Sequence, residues 1–359
     1  DKELMMHVLD EASVAVGTKF KNQPLVEAET RRIIGISYLE INKYAEAKEH
    51  FKEALFLFNK HSDRVRLNDK MVGVSLGSLS TMVQLGRVHL LLGDFPKAKE
   101  YLTDAILLSK NALGENHHVG LKANSTMADL LNRQGKYNES EKHINIVLAS
   151  QRKTLGNNHI DTISSLAQLG VVYFGQGKFK EAEACFREAL TVQQKIQGKD
   201  HPTTLNTMLN LGNALFTQKK YEEAKPLLVI VLKTNRRMLG DDDPTVVKVL
   251  NSLGALLKAQ GQFAEAEPYY QESLEISTRV SGDSHPKTLW LRGALGDLFA
   301  AQGKLEEAEA IYAKSLETSR KVYGDENPST VFLIGGVAVR VPARTEIASS
   351  SNWSPGVTG

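Results

Sequence analysis

Apolar residues recur along most of this chain with the three- and four-residue spacing of an α-helix that buries one face. The stretch from Gly198 to Leu239 shows the pattern most clearly, because it contains two such segments in succession. The first carries Leu205, Met208, Leu211, Gly212 and Leu215, and the second carries Tyr221, Ala224, Leu228, Val231 and Met238. The stretch therefore predicts two amphipathic helices of roughly 16–18 residues each.

The same pattern returns along the chain in steps of 42 residues, as from Gly198 to Gly240. One glycine ladder runs through Gly114, Gly156, Gly198, Gly240, Gly282 and Gly324. A second runs through Gly93, Gly135, Gly177, Gly261 and Gly303, with Lys219 in the missing place, and a third holds Phe95, Tyr137, Phe179, Tyr221, Phe263 and Leu305. Repetition at a fixed period of about 20–50 residues predicts a solenoid, in which each repeat packs on its neighbours.

The turns between repeats carry signals that end one helix and begin the next. A glycine, a polar residue and a proline follow one another, as in Gly198–Pro202, which predicts a helix stop, an N-cap and a first helical residue. Histidines recur in these turns, and we expect them to cap helices, because residues in different repeats cannot share a metal ion. These histidines are His117, His159, His201 and His285. A small residue also recurs in the middle of each first helix, which predicts a close helix crossing, at Gly86, Ala128, Gly170, Gly212, Gly254 and Gly296.

The ends of the chain depart from the repeat. Residues 1–24 are predicted to form a leading helix that belongs to an incomplete preceding repeat, and the start at Asp1 suggests a fragment or a processed product. Residues 25–338 are predicted to form a solenoid of seven full helix pairs and the start of an eighth. An excess of residues near Asn59–Lys70 predicts a longer loop or extended helix ends. Residues 339–359 are rich in Ser, Pro, Gly and Thr and predict a disordered or truncated tail.

The repeat resembles the tetratricopeptide repeat (TPR), in which a large residue, a Leu-Gly pair and an aromatic residue mark the first helix. The matching residues in the clearest repeat are Met208, Leu211, Gly212, Leu215, Ala224 and Leu228. The usual period is about 34 residues, and the longer repeat of this chain is similar to that of kinesin light chains. Residues 25–55 also resemble repeat tails of bacterial serine/threonine kinases. The resemblance implies an all-α, right-handed superhelical solenoid of antiparallel helix pairs, whose first helices line a concave groove.

In that architecture, residues on the outward side of the first helices face the groove. The predicted groove residues are Phe174, Asn206, Asn210, Asn213, Phe216, Lys248, Asn251, Lys258 and Trp290. Asparagine amides suit the backbone of an extended peptide, because each offers donors and an acceptor, and aromatic side chains provide apolar anchors. Asn210 and Asn251 also match the asparagines that the kinesin light chain resemblance implies for cargo contact. The alternative is that these are ordinary solvated or inter-helix residues.

Motifs and composition favour binding over catalysis. The sequence contains no P-loop, HExxH, GxSxG or kinase catalytic motif, and Cys185 occupies a mostly apolar helical position that predicts a buried thiol. The net charge of +2 favours no nucleic acid, and no apolar stretch has the length of a membrane span. We therefore expect a non-catalytic scaffold that binds a protein or peptide partner, without metal or cofactor.

This scaffold is expected in the cytoplasm, and its oligomeric state is left open by the sequence. Two narrower functions remain open. The chain would be the regulatory tail of a larger enzyme, such as a serine/threonine kinase, if a kinase motif set precedes it. It would be a kinesin light chain-like cargo adaptor if a heptad coiled coil precedes it.

Overall fold

The computed structural model describes residues 2–62, 64–67, 70–325 and 330. These residues form fifteen α-helices in chain order. The helices are α1 (Lys2–Lys19), α2 (Pro24–Glu40), α3 (Tyr44–His61), α4 (Leu76–Leu91), α5 (Phe95–Leu113), α6 (His118–Arg133), α7 (Tyr137–Thr154), α8 (Ile160–Gly175), α9 (Phe179–Ile196), α10 (Pro202–Thr217), α11 (Tyr221–Leu239), α12 (Pro244–Ala259), α13 (Phe263–Ser281), α14 (Pro286–Ala301) and α15 (Leu305–Tyr323).

From α2 onward, consecutive helices pack as pairs, so that each even-numbered helix is the first helix of a repeat and the next is its second helix. The chain divides into two compact units, Asp1–Ile196 and Gln197–Gly359. The first unit contains α1 and the repeats from α2 to α9, and the second contains those from α10 to α15. The prediction of an all-α solenoid of helix pairs is confirmed.

The segment between α3 and α4 differs from the prediction. It contains a β-hairpin of two strands, β1 (Arg64–Leu67) and β2 (Lys70–Gly73), paired antiparallel with Val65 opposite Val72. The expectation of a longer loop or extended helix ends was therefore wrong. The sequence Arg-Val-Arg-Leu of β1 alternates charged and apolar residues, which is the period of a strand rather than of a helix.

Close crossing of the two helices within a repeat explains the small-residue ladder. A Cβ atom on Gly170 of α8 would lie 2.7 Å from Cε1 of Phe186 on α9, and one on Gly86 would lie 2.6 Å from Cγ of Leu102. Real Cβ atoms do not approach so closely, so the large side chain of the second helix occupies the space that a side chain on the first helix would need. The predicted close crossing is confirmed.

The turns adopt the backbone conformation that the ladders indicate. The glycines of both turn ladders have positive φ, and Lys219 has φ 61° in the place where other repeats carry glycine. His117, His159, His201 and His285 cap the following helices, since Nδ1 of each accepts a hydrogen bond from the backbone N–H two residues later at 3.2–3.3 Å. The capping role predicted for these histidines is confirmed.

Glutamines after three first helices, Gln176, Gln260 and Gln302, donate to the preceding second helix, a contact that was not predicted from the sequence. Nε2 of Gln176, just after α8, donates to Oε2 of Glu141 at 2.7 Å on the preceding second helix. Gln302 donates to Oε2 of Glu267 in the same way at 3.1 Å. The signal was present, because glutamine recurs at the end of five first helices, at Gln134, Gln176, Gln218, Gln260 and Gln302.

The predicted tail, 339–359, lies outside the described residues, as does most of the predicted eighth repeat. Thr330 is described, and it is buried with its Oγ1 2.6 Å from Oγ of Ser319. Ser277 and Thr288 form the equivalent contact at 2.9 Å between α13 and α14. Thr330 therefore packs against α15 as the residue in its position does in the preceding repeat.

Candidate functional site

Three predicted groove residues in the second unit occupy the same position of successive first helices. Asn206, Lys248 and Trp290 lie in the early turns of α10, α12 and α14, one repeat apart. All three are exposed, and 43% of the surface of Trp290 is accessible. These side chains therefore form a solvent-facing row along the first helices of the second unit.

A second row runs along α10 itself. Asn206, Asn210 and Asn213 are spaced four and three residues apart, so they share one face of the helix. Asn206 is exposed and the other two are half-buried. None of the three side-chain amides forms a hydrogen bond with another residue in the part of the chain that the structure describes. Their donors and acceptors are therefore available to a ligand.

The α12 members of the predicted site are less exposed than Lys248. Asn251 is half-buried, and its Oδ1 is inaccessible to solvent with no donor among the described residues. Lys258, near the end of α12, is also half-buried. A buried acceptor without a donor is destabilising, and because this oxygen is inaccessible, only the remaining surface of the Asn251 side chain is open to a ligand.

The two phenylalanines of the prediction lie at the opposite, C-terminal ends of their helices. Phe174 of α8 packs edge-on against Phe179 with ring centroids 5.3 Å apart, and Phe216 of α10 lies 6.1 Å from the ring of Tyr221. Both are half-buried. Each ring thus helps to pack the turn between the two helices of its own repeat, and Phe174 belongs to the first unit, apart from the other predicted residues.

A small pocket opens beside Asn206 and Lys248, between α10, α11 and α12. Its volume is about 80 Å³, and its lining is Pro202, Leu205, Asn206, Leu209, Val231, Asn235, Met238, Leu239, Thr245 and Lys248. Most of these side chains are apolar. Asn206 and Lys248 were predicted as groove residues, whereas Leu205, Val231 and Met238 were assigned to the buried helix faces.

Two lysines give this area a positive charge. Nζ of Lys287, on α14, lies 3.4 Å from the carbonyl oxygen of Pro244 at the start of α12. Burial and the charge of Lys248 lower the pKa of Lys287, whereas Asp243 opposes this effect. Lys248 forms no ion pair within the described part of the chain. The two ammonium groups thus repel each other, and an anionic ligand would relieve the repulsion.

Family comparisons place this geometry in context. A tetratricopeptide repeat model matches residues 121–195, 168–229 and 245–321, and a second model of the same description matches residues 78–118. The chain belongs to the tetratricopeptide repeat family. TPR proteins bind protein or peptide partners and are generally non-catalytic, so this chain is a protein-interaction scaffold.

Several solved structures share the TPR fold with this chain at low identity. A Podosopora anserina protein of nearly identical TPR-like repeats, described as a kinesin light chain, is 23% identical with a TM-score of 0.50, covering 56% of this chain and 95% of that one. BtubC (BKLC) of P. vanneervenii is 20% identical, with a TM-score of 0.53 over 65% and 92%. A Rap protein complexed with Competence and Sporulation Factor is 12% identical, with a TM-score of 0.63 over 82% and 77%. No curated protein sequence matches.

Four further features of the described residues concern metal binding, thiol reactivity, membrane insertion and N-glycosylation. Among these residues, no three His, Cys, Asp or Glu side chains cluster in a way that could hold a metal ion. Cys185 is buried as predicted, and burial raises the pKa of its thiol to about 11. None of the described helices is long and apolar enough to cross a membrane. Asn124 begins an Asn-Ser-Thr triplet, the acceptor pattern for N-glycosylation. Its side chain is buried, and its Oδ1 lies 2.8 Å from Nδ1 of His143.

Proposed function

We propose that this TPR chain binds an extended peptide segment of a partner protein along the first helices of its second unit. The observation that carries the proposal is the row of unpaired amides on α10, at Asn206, Asn210 and Asn213. An extended peptide presents an N–H and a C=O at each residue, and these groups need partners when water is excluded. A row of amides offers both kinds of partner along one line.

Lys248, Asn251 and Trp290 continue this surface onto α12 and α14. Trp290 would provide an apolar anchor, since an exposed indole buries a large area when a partner covers it. The Rap protein, which has the same fold, is known in complex with Competence and Sporulation Factor, and this supports a binding role for such an array. Phe174, Phe216 and Lys258 stay predictions as contact residues.

The experiment is a comparison of partner capture by the full chain and a triple variant, Asn210→Ala, Asn251→Ala and Trp290→Ala. We expect the amount of captured partner to fall about tenfold or more, since hot-spot residues carry most of the binding free energy. Addition of the partner should also slow hydrogen exchange in α10, α12 and α14. A matched control replaces Asn145 and Ile146, an exposed amide and an exposed aliphatic side chain on α7, by alanine.

Undiminished capture by the triple variant, or protection confined to the second helices, would refute the groove proposal. The proposed extent of the solenoid, residues 25–338, and the cytoplasmic location stay predictions. The two narrower roles, a kinase regulatory tail and a kinesin light chain-like adaptor, differ in what precedes Asp1 in the gene. A kinase motif set would favour the first, and a heptad coiled coil would favour the second.

A further inference from the structure

We propose that the pocket between α10, α11 and α12 receives a branched aliphatic side chain of the partner, next to an acidic residue that pairs with Lys248. This inference rests on the proposed peptide-binding function and specifies which peptide the second unit selects. Three features support it: the size of the pocket, the side-chain oxygen of Asn235 in its wall, and the charge of Lys248 at its rim.

The size and lining of the pocket favour an aliphatic occupant. Leu205, Leu209 and Val231 form buried walls, while Met238 and Leu239 are 47% and 49% exposed at its edge. An apolar cavity of about 150 Å³ accommodates benzene, with six carbons. The volume of about 80 Å³ here therefore suits about three or four carbon atoms. Valine, leucine and isoleucine side chains have this size, whereas aromatic rings exceed it.

A buried asparagine in the wall supplies a directional contact. Asn235 is only 5% exposed, and its Nδ2 donates to Oγ1 of Thr245 at 3.1 Å. Thr245 in turn donates from Oγ1 to Oδ1 of Asp243 at 2.6 Å. Asn235 belongs to the pocket lining, and its Oδ1 accepts no hydrogen bond from the described residues. The hydrogen-bond chain therefore fixes the amide with its oxygen available to a backbone N–H of the occupant.

The charge around the pocket favours an acidic neighbour in the partner. Lys248 lies at the rim without an ion pair among the described residues, and Lys287 stands close enough to be affected by its charge. Asp243 is the acidic group whose charge acts on Lys287, and its carboxylate already accepts hydrogen bonds from Thr245. The chain's own residues 331–359 contain two arginines and one glutamate, so they do not complement two lysines. A partner segment with a carboxylate does.

The residues at the positions of the apolar pocket lining vary from repeat to repeat. One repeat later, the positions of Leu209, Val231 and Leu239 hold Asn251, Ser273 and Ser281. The following repeat therefore stacks with polar residues at these places, whereas the preceding repeat carries Ala167, Ala189 and Gln197 there. The coincidence of the three apolar side chains around one opening, in the interval that also carries Asn235 and Lys248, indicates selection of a ligand side chain.

The test is selection of a random peptide library displayed on phage against the full chain and its variants. The variants Leu209→Asn and Leu239→Ser introduce the residues that the next repeat carries at these positions. Because the side chain of Leu239 is exposed, Leu239→Ser should keep the fold even if Leu209→Asn does not. Lys248→Glu reverses the rim charge. Lys233→Glu, on an exposed position of α11, makes the same charge change away from the pocket and serves as the control.

We expect the unaltered chain to enrich peptides with Val, Leu or Ile within two residues of Asp or Glu. Leu209→Asn and Leu239→Ser should remove the aliphatic preference, Lys248→Glu should remove the acidic one, and Lys233→Glu should change neither. A synthetic peptide of the enriched sequence should bind each pocket variant about tenfold more weakly. An enriched motif of another kind, or one that all variants retain, would overturn the pocket assignment while the groove proposal stands. If the unaltered chain enriches no motif, both proposals fail.

Discussion

Exchanging one pair of packed residues between repeats tests the origin of the small-residue ladder. Gly170 on α8 faces Phe186 on α9, and both lie in the first unit. The preceding repeat solves the same crossing with Ala128 and Ile144, which are both fully buried. The perturbation is therefore a cycle of Gly170→Ala, Phe186→Ile and the double variant, which installs the alanine–isoleucine pair of the preceding repeat.

The structure sets the size of each effect. A Cβ on Gly170 would lie 2.7 Å from Cε1 of a ring that is 1% exposed, and overpacking of this kind costs about 1–3 kcal/mol. Alanine recovers about 1 kcal/mol of helix propensity, so we expect Gly170→Ala to lower the free energy of unfolding by about 1 kcal/mol. Phe186→Ile leaves a void and should cost about 1–2 kcal/mol. In the double variant the new methyl group fills that void, which gives a favourable coupling of about 1–2 kcal/mol.

Native-state hydrogen exchange of the α8 and α9 amides is the appropriate assay. Long repeat arrays depart from two-state unfolding, so a single melting temperature would mix the repeats, whereas exchange reports the free energy of local opening. Ala128→Gly is the control, because it relieves no clash and should simply cost about 1 kcal/mol. Strict additivity of the two substitutions, within about 0.5 kcal/mol, would refute steric contact as the reason for glycine.

Three further predictions concern single residues. Lys219→Gly should stabilise α10 and α11 by about 1 kcal/mol in the same exchange assay, because lysine is held at φ 61° where only glycine is unstrained; no change would contradict this. Burial lowers the pKa of His143, so the folded state takes up its proton less readily than the unfolded state. The contribution of His143 to stability should be full above the ordinary value of 6.5 and fall as pH drops below it. His143→Tyr, which installs the residue found at Tyr101 and Tyr269, should reduce the pH dependence of the local opening free energy of α6 and α7 in hydrogen exchange, and an unchanged dependence would contradict this. Cys185, with its pKa raised to about 11, should react with a thiol reagent only after denaturation, and rapid labelling of the native chain would contradict its burial.

The features predicted correctly from the sequence are those that depend on one helix or one turn. Glycine at positive φ and histidine at an N-cap act through the local backbone. Each therefore leaves a mark at a fixed place in every repeat, as at Gly198 and His201. The mid-helix glycine depends on a contact between two helices. It could still be predicted from the sequence, because the two helices are consecutive and the same contact recurs in each repeat.

Features that occur once, or that connect successive repeats, were harder to predict. The hairpin of β1 and β2 breaks the period, so comparison with other repeats offered no guide, and only the alternation of its own residues indicated strands. The bond from Gln176 to Glu141 joins residues 35 positions apart, and glutamine at a helix end has no strong local signature. Phe174 and Phe216 stay predictions as anchors, and their ring contacts with Phe179 and Tyr221 could not be read from the sequence, because an outward aromatic residue has the same position whether it faces solvent or packs on a turn.

Placement of the pocket shows how a regular array can carry specificity without losing its stacking. The residues that hold the second unit together recur in every repeat, and a change at those positions would be felt at each crossing. The residue type varies between repeats at the positions of Leu209, Val231 and Leu239, and the following repeat carries polar residues at all three. The three positions lie on different helices, so no single sequence window contains the opening that they form with Asn235 and Lys248. Variation at these positions therefore shapes a ligand pocket where several of them converge, as they do at the junction of α10, α11 and α12.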